Sequence, residues 1–378
     1  MTKKKIILII ITSLLACFIV FVIIFTISKY RQVVVKVNQD KIPTDISPTV
    51  TPTPDPERPF SILLMGYGGG GHEGGTLTDS IIIVQFIPKE EKIKLISVPR
   101  DLWVPIPVGN GETKMSKVNA AYLVGLDDKK YPNKETQFTG DAGGGQMSKY
   151  ILSQIVGFQI DNFATINFDG FLKTIDTLGG IEVDVQKTFD DYFYPIEEKT
   201  TDTCEKSEEE IIAITATLSG EKLEQQFSCR YEHLHFDKGL QTMDSATALK
   251  FVRSRHSQTD GGDFNRSARQ KLVIEAVKKK IISLNFIPKL IPFVNSLADN
   301  LTTDIDLTKM QELLSKADEY KNYKIESFAI TNDNLLMNST SSDYQSILIP
   351  KLGENNWTNI QKFVSQSTAE ATSSVELN

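Results

Sequence analysis

Apolar positions along this chain fall into distinct regimes. Residues 6–27 are uncharged and almost wholly apolar. At about 1.5 Å per residue, such a run crosses a hydrocarbon core of about 30 Å, and it predicts one transmembrane helix over residues 6–28. A secretory leader would have a shorter apolar region ending in a small-residue cleavage site, and none is visible. The LLAC box at 14–17 loosely resembles a lipoprotein processing site, but apolar residues continue past Cys17. Lys3, Lys4 and Lys5 precede the run, and Lys29, Arg31 and Lys36 follow it, so the positive-inside rule decides little. The expectation is a cytoplasmic N-terminal tail (1–5), a single pass of the cell membrane, and an extracytoplasmic remainder. Residues 29–59 are rich in Pro and Thr and poor in apolar residues, which reads as an extended tether.

From residue 60 the periodicity shortens. FSILLMG (60–66), SIIIVQFIP (80–88) and KIKLISVPRD (92–101) are short apolar or alternating runs closed by Gly or Pro, and all three predict strands. QMSKYILSQIVG (146–157) has apolar residues at helical spacing, with Gly157 as its stop. NFATINFDGFLKTIDTLGGIEVDV (162–185) reads as strand, helix, Gly-Gly turn and strand. SATALKFVRSR (245–255) starts as a helix capped by Asp244, and DFNRSARQKLVIEAVKKKI (263–281) predicts a helix capped by Asp263 and ending in lysines that suit its dipole. Strands interleaved with helices indicate an α/β layered domain over 60–365, carrying an acidic, Cys-bearing insertion at about 197–229 and followed by a polar tail, 366–378.

Composition adds two constraints. Of 378 residues, 40% are hydrophobic and 24% charged, which is enough for a sizeable core, and the net charge of −7 argues against a nucleic-acid partner held by phosphate neutralisation. Of the three cysteines, Cys17 lies in the apolar run. Cys204 and Cys229 flank the acidic stretch, either as a disulfide or as two free thiols; neither has the CxxC context of a metal site.

The chemistry concentrates in three places. GYGGGGHEGGTLTDS (66–80) follows a strand and formally contains GxGxxG, but a second strand follows instead of the helix that would hold a pyrophosphate, and no Gly-Lys-Ser/Thr ends it. What remains is a flexible loop with Glu73 and Asp79 beside it, functional or a plain hairpin tip. Arg100 and Asp101 follow a strand in SVPRD, where a surface ion pair is the ordinary reading. RSRHSQTDGGDFNRSARQ gathers Arg253, Arg255, Arg266 and Arg269 around a Gly-Gly turn, and Arg266, Arg269 and Gln270 share one helical face. Forked, permanently charged guanidiniums in such a group suit phosphate oxygens. Asp79, Asp101, Glu73 and Asp263 would repel that phosphate unless a cation intervened, and Mg2+ bridges carboxylates and phosphates in this way. The residues alone therefore point to a membrane-tethered enzyme handling a pyrophosphate.

The ordered motifs LTDSIIIVQFIPKEEKIKLISVPRDLWVPIP, KMSKVNAAY, INFDGFLKTIDTLGGIEVDV, LHFDKGLQTMDSATALKFVRSRH and GDFNRSARQ closely resemble the LytR-CpsA-Psr (LCP) family from about residue 60 to 282, and more weakly to about 365. The resemblance implies a layered α/β/α sandwich around a central mixed sheet, with an apolar cavity for a prenyl tail, preceded by one transmembrane helix. It also implies a membrane-anchored phosphotransferase that moves a glycopolymer, such as a teichoic acid or capsule chain, from a polyprenyl-pyrophosphate carrier to peptidoglycan. By motif position, Arg100, Arg253, Arg255, Arg266 and Arg269 are implied to bind pyrophosphate, supported by Gln270, Lys117 and Asn119. Arg100, Arg266 and Asp101 are implied to be catalytic, and Asp79 to hold Mg2+. Many members carry a second aspartate in a Gly-x-Asp-x-Arg segment. Here that segment is Gly66-Tyr67-Gly68-Gly69-Gly70, so either Glu73 or His72 replaces it, with Glu73 favoured because Mg2+ prefers oxygen, or Asp79 and the phosphate hold the ion with more water. The rivals are a polyprenyl-pyrophosphate pyrophosphatase, a non-catalytic polyprenyl-phosphate binder and a transcription regulator. The last is opposed by the net charge and the apolar run. His233 and His235 alternate along YEHLHFD and read as strand-surface residues.

Overall fold

The computed structural model describes residues 57–69, 75–283, 293, 296–297, 299–320 and 322–366. The apolar run, most of the tether, Glu73 and the polar tail beyond 366 lie outside them. In chain order the strands are β1 (Phe60–Tyr67), β2 (Thr78–Ile87), β3 (Lys92–Ser97), β4 (Trp103–Gly109), β5 (Glu112–Lys117), β6 (Asn162–Asn167), β7 (Ile181–Val185), β8 (Phe189–Pro195), β9 (Tyr231–Phe236), β10 (Gly239–Met243), β11 (Leu301–Thr303), β12 (Lys324–Ala329), β13 (Leu336–Thr340) and β14 (Ser346–Pro350). They fall into two compact units, Met1–Gly170 with Asn285–Asn378, and Phe171–Leu284. The second unit contains the whole acidic insertion and extends well beyond it.

The first unit is built on a six-stranded sheet in the order β11-β6-β1-β2-β3-β12. β1 pairs antiparallel with β2 and parallel with β6, β2 pairs antiparallel with β3, and β3 pairs parallel with β12, so the sheet is mixed. Successive side chains of each strand point to opposite faces of the sheet, so the register decides which residues meet on each face. Leu63 faces Ile83 on one side and Phe163 on the other; Ile96 faces Ile83 and Phe328. These residues form one continuous face of the main core, covered by helices Ala120–Leu126, Gly143–Val156 and Thr358–Ser365 through residues such as Tyr122, Met147, Leu152, Ile360 and Val364. On the alternate face Phe60 stacks on Phe86 with ring centroids 4.5 Å apart, and Tyr320 from the helix Ala317–Tyr320 packs on both rings. The expected helix at 146–157 is present, begins three residues earlier than read, and ends at Gly157 with φ 81°.

The second unit pairs β7 with β10 and β8 with β9, both antiparallel, and packs the helix Gly262–Ser283 against β7. Its centre is aromatic: Phe189, Phe236 and Phe251 lie with ring centroids 5.1–6.0 Å apart. Cys204 and Cys229 form a disulfide with Cα atoms 5.7 Å apart, which decides the alternative that the sequence left open. The enclosed stretch holds the helix Glu208–Thr217, started by a capping box between Ser207 and Glu210. Asp244 caps the helix Ser245–Arg253 as read, but the helix expected to start at Asp263 begins at Gly262, so Asp263 lies inside its first turn.

One glycine fixes how two helices of the first unit approach. A Cβ on Gly143 would lie 2.4 Å from the Gly125 carbonyl oxygen and 2.6 Å from that of Phe138. Both neighbours are backbone and cannot swing aside. Gly143→Ala is therefore expected to destabilise the protein by about 1–3 kcal/mol, read as a lower urea midpoint with an unchanged slope.

Candidate functional site

In the first unit the sequence-predicted residues of three separate segments meet. Asp79 opens β2, Arg100 and Asp101 lie just after β3, and Lys117 ends β5. The backbone ties these segments together. Asn119 N–H donates to the Arg100 carbonyl at 3.2 Å, Thr78 N–H donates to the Asn119 carbonyl at 3.3 Å, and Val118 N–H donates to the Leu102 carbonyl at 2.7 Å. Asn119 is buried in this junction, and its place is explained by main-chain bonding.

The side chains form an alternating row of charge. Arg100 Nη1 lies 2.5 Å from Asp79 Oδ1, Arg100 Nε lies 3.5 Å from Asp101 Oδ2, and Lys117 Nζ lies 2.8 Å from Asp101 Oδ1. All four remain partly open to solvent, with side-chain exposures of 22–43%. A row of this kind can exchange an internal carboxylate for an external anion, because the guanidinium is already aimed and its ion pair is open enough to water to be displaced readily. The glycine-rich loop next to Asp79 is closed at its base by a bond from Gly69 N–H to the Gly75 carbonyl at 2.9 Å. Glu73 and His72 lie outside the described residues.

In the second unit the predicted arginines cluster around the turn between the helices Ser245–Arg253 and Gly262–Ser283. Arg253 Nη1 donates to Glu197 Oε1 at 2.8 Å, and its guanidinium lies 5.6 Å from the centre of the Tyr194 ring. Burial pushes the Tyr194 hydroxyl up to about 12. Arg255 is half-buried, Arg266 is buried in the first turns of its helix, and Gln270 is half-buried one turn on. Arg269 is 2% exposed. Its Nε donates to the Phe251 carbonyl at 3.0 Å, Nη1 to the carbonyl and carboxylate of Asp260 at 2.6 Å each, and Nη2 to the Ser254 carbonyl. Its guanidinium also lies 4.9 Å from the centre of the Phe189 ring. Thus Arg266, Arg269 and Gln270 share a helix as expected, while Arg269 turns into the protein.

Sequence reasoning missed Asp191. It sits at the bulge of β8, fully buried, and its carboxylate accepts from Ser254 Oγ at 2.6 Å, from the backbone N–H of Arg255 at 3.0 Å and His256 at 3.1 Å, and from Phe193 N–H at 3.0 Å. Burial pushes its carboxyl up, but the bonds from Ser254, Phe193, His256 and Arg255 more than offset this and hold it below the ordinary carboxylate value. In the sequence Asp191 is one acidic residue in an acidic stretch, 63 residues from Ser254, and no local signal marks it. His256 Nδ1 pairs with the Phe193 carbonyl at 3.1 Å. His233 and His235 are exposed on β9 as read, and both rings bond the Asp190 carboxylate, at 2.7 and 2.8 Å. Among the described residues, the cluster of three ligand-type side chains close enough together for an ion is Asp202, Cys204 and Cys229, and its two sulfurs are already joined in the disulfide.

Comparison with known proteins matches residues 24–361 to the model of the LytR_cpsA_psr family. The chain is 28% identical over 291 residues to the polyisoprenyl-teichoic acid–peptidoglycan teichoic acid transferase TagV of Bacillus subtilis (strain 168), covering 76% of this chain and 60% of TagV. It is 28% identical over 255 residues to the TagU transferase of Oceanobacillus iheyensis, covering 68% of this chain and 62% of that one. The chain thus spans about three fifths of the length of these relatives. The crystal structure of B. subtilis TagV superposes with a TM-score of 0.52 at 25% identity, covering 82% of this chain and 96% of that one.

The lowered folded-state value of Asp191 has a defined pH consequence. Its contribution to stability is fully present above the unfolded carboxylate value of about 3.9 and is lost as pH falls through the folded value below that. In acid titrations followed by near-ultraviolet circular dichroism, Asp191→Asn is expected to lower stability at neutral pH and to flatten the loss of stability below about pH 4. A variant whose acid limb superposes on that of the wild type would contradict this.

Proposed function

Because the chain belongs to the LytR_cpsA_psr family, we propose that it is a membrane-anchored phosphotransferase that moves a glycopolymer from a polyprenyl-pyrophosphate carrier onto peptidoglycan. The teichoic acid transferase names of its relatives support the donor and acceptor classes. Residues 6–28 serve as the single membrane pass, with the N-terminus in the cytoplasm and the rest outside. On this reading the central mixed sheet belongs to the α/β/α sandwich that the family resemblance implies, and the prenyl tail would take an apolar recess of that sandwich.

The observation that carries the reading is the charged row Asp79–Arg100–Asp101–Lys117 at the strand ends of the first unit. A guanidinium held between two carboxylates is poised to take phosphate oxygens in place of one of them. Asp79 and Asp101 supply hard oxygen donors of the type that Mg2+ takes, and Asp79, joined by Glu73, is the residue that would hold it. When bound, Mg2+ neutralises charge on the diphosphate.

The acceptor hydroxyl attacks the phosphorus attached to the sugar. A new P–O bond forms to the acceptor, the bond to the bridging oxygen breaks, and polyprenyl phosphate leaves with that electron pair. Asp101 receives the hydroxyl proton, with Lys117 and Arg100 fixing its orientation. Arg100 answers the charge that develops on the departing phosphate; in the second unit Arg253, Arg255 and Arg266, supported by Gln270, are the pyrophosphate-binding residues that the family motifs imply.

The test uses the full chain in detergent, a lipid-linked teichoic acid donor and purified peptidoglycan. Arg100→Ala, Arg253→Ala and Arg266→Ala are each expected to lower transfer about 100-fold or more with an unchanged circular dichroism spectrum. Chelation is expected to abolish turnover, and Mg2+ to restore it. Wild-type transfer by the Arg100 and Arg253 variants would overturn the assignment. Release of free glycopolymer phosphate irrespective of peptidoglycan would replace transfer by hydrolysis.

A further inference from the structure

We propose that Asp191 and Arg269 are positioning residues that together clamp the segment 251–260, and that Arg269 spends its guanidinium on this clamp rather than on a diphosphate. The importance of the clamp for transfer rests on the proposed function; the clamp itself rests on geometry.

The two charges divide the backbone between them by sign. Asp191 takes donors: the N–H groups of Arg255 and His256 and the Ser254 hydroxyl. Arg269 takes acceptors: the carbonyls of Phe251, Ser254 and Asp260, together with the Asp260 carboxylate. Ser254 is held by both, its hydroxyl by Asp191 and its carbonyl by Arg269, and it is fully buried. It is also the middle residue of Arg253-Ser254-Arg255. The buried centre of that tripeptide is fixed, and the two flanking arginines take their directions from it. Gly261 completes the turn: a Cβ there would lie 2.1 Å from the Ser257 carbonyl oxygen.

The family motif implies the opposite role, with Arg269 as a phosphate ligand. To serve as one, Arg269 would have to leave three carbonyls and a carboxylate in a dry site and surrender its packing on Phe189. Each of those groups would then be buried without its donor, a cost that grows with every bond broken. A planar fork of five N–H donors reaches all of these acceptors at once. An ammonium carries the same charge at one point and cannot span them. Lysine at 269 therefore separates the two roles: a phosphate ligand needs the charge, and a clamp needs the fork.

The test compares wild type, Arg269→Lys, Arg269→Ala, Asp191→Asn, Ser254→Ala and Arg266→Ala, all as full chains in detergent. Amide exchange of residues 251–260 is measured without ligand, and farnesyl pyrophosphate affinity is measured separately. Arg269→Lys is expected to match Arg269→Ala, with exchange at Arg255 and His256 faster by about tenfold or more and affinity weaker by a similar factor. Asp191→Asn is expected to do the same. Ser254→Ala, which removes a single bond and keeps the fold, is expected to shift both in the same direction by less. Arg266→Ala is expected to lose affinity with exchange unchanged. The proposal is overturned if Arg269→Lys binds like wild type while Arg269→Ala does not. It is equally overturned if exchange at Arg255 and His256 stays at the wild-type rate in the Asp191 and Ser254 variants, or rises without any loss of affinity. Failure of wild type itself to bind farnesyl pyrophosphate would count against the transferase reading, and the exchange rates would still decide whether the clamp exists.

Discussion

An ionised side chain withdrawn from water must be answered by opposite charge or by oriented dipoles, and both units of this protein are arranged around that requirement. Leaving such a group unanswered costs several kcal/mol, comparable with the net stability of a domain. In the first unit Lys149 and Asp304 meet this condition away from any chemistry. The ammonium lies 2.5 Å from the carboxylate, whose other oxygen accepts from Phe163 N–H at 2.7 Å, so the pair joins the helix Gly143–Val156 to β6. Lys94 does the same at the other edge, donating to the carbonyls of Val364 and Gln366 at the end of the last helix. The rule that welds the scaffold also organises the candidate chemistry, where the charges stay partly exposed and their partners can be exchanged.

The difference between those two uses is one of solvent access. The Lys149–Asp304 pair has side-chain exposures of 11% and 3%, whereas Arg100 and Asp79 have 33% and 43%. An ion pair open to water is worth about 1 kcal/mol or less, so an arriving phosphate displaces it at little cost. A buried pair resists displacement because the partner left behind cannot rehydrate. Among the arginines of the second unit, Arg253 and Arg255 are half-buried, whereas Arg269 is buried and gives its guanidinium to three carbonyls and a carboxylate, which commits it to the fold; Arg266 is buried as well. Charge and spacing in the sequence treat these alike, and only the fold shows what each guanidinium is bonded to.

This also explains how much was legible beforehand. β1, β2 and β3 could be read because the first two are short apolar runs, the third alternates, and each is closed by Gly or Pro, a signal carried within about ten residues. Gly157 and Asp244 could be read because caps are local. The arginines near the Gly-Gly turn were visible because their residue type and spacing already imply an anion, whereas Arg100 and Asp101 read by themselves as a surface ion pair and took a role only from the family resemblance. Asp191 was not, since its meaning arises only when the bulge of β8 brings its carboxylate under residues 254–256, and nothing within its own strand requires that. The run of glycines at 143–145 was opaque for a related reason: the need for Gly143 comes from the Gly125 carbonyl, eighteen residues away in the chain. Pairing of Cys204 with Cys229 likewise depended on a fold-level distance that spacing does not supply.

The glycine-rich loop between β1 and β2 follows from the same logic. Its base is ordered: Gly69 has φ 96°, its amide bonds the Gly75 carbonyl, and a Cβ there would lie 3.3 Å from the Asn167 side chain. Asn167 is itself held, donating from Nδ2 to Asn300 Oδ1 at 3.1 Å and accepting from Gly170 N–H at 2.9 Å. A larger residue at 69 would therefore press on a side chain that anchors the end of β6 as well as adopt a strained backbone. The loop's attachment is thus specified by packing right beside Asp79, which gives a physical reason for a glycine at position 69, within the segment that departs from the family's Gly-x-Asp-x-Arg pattern.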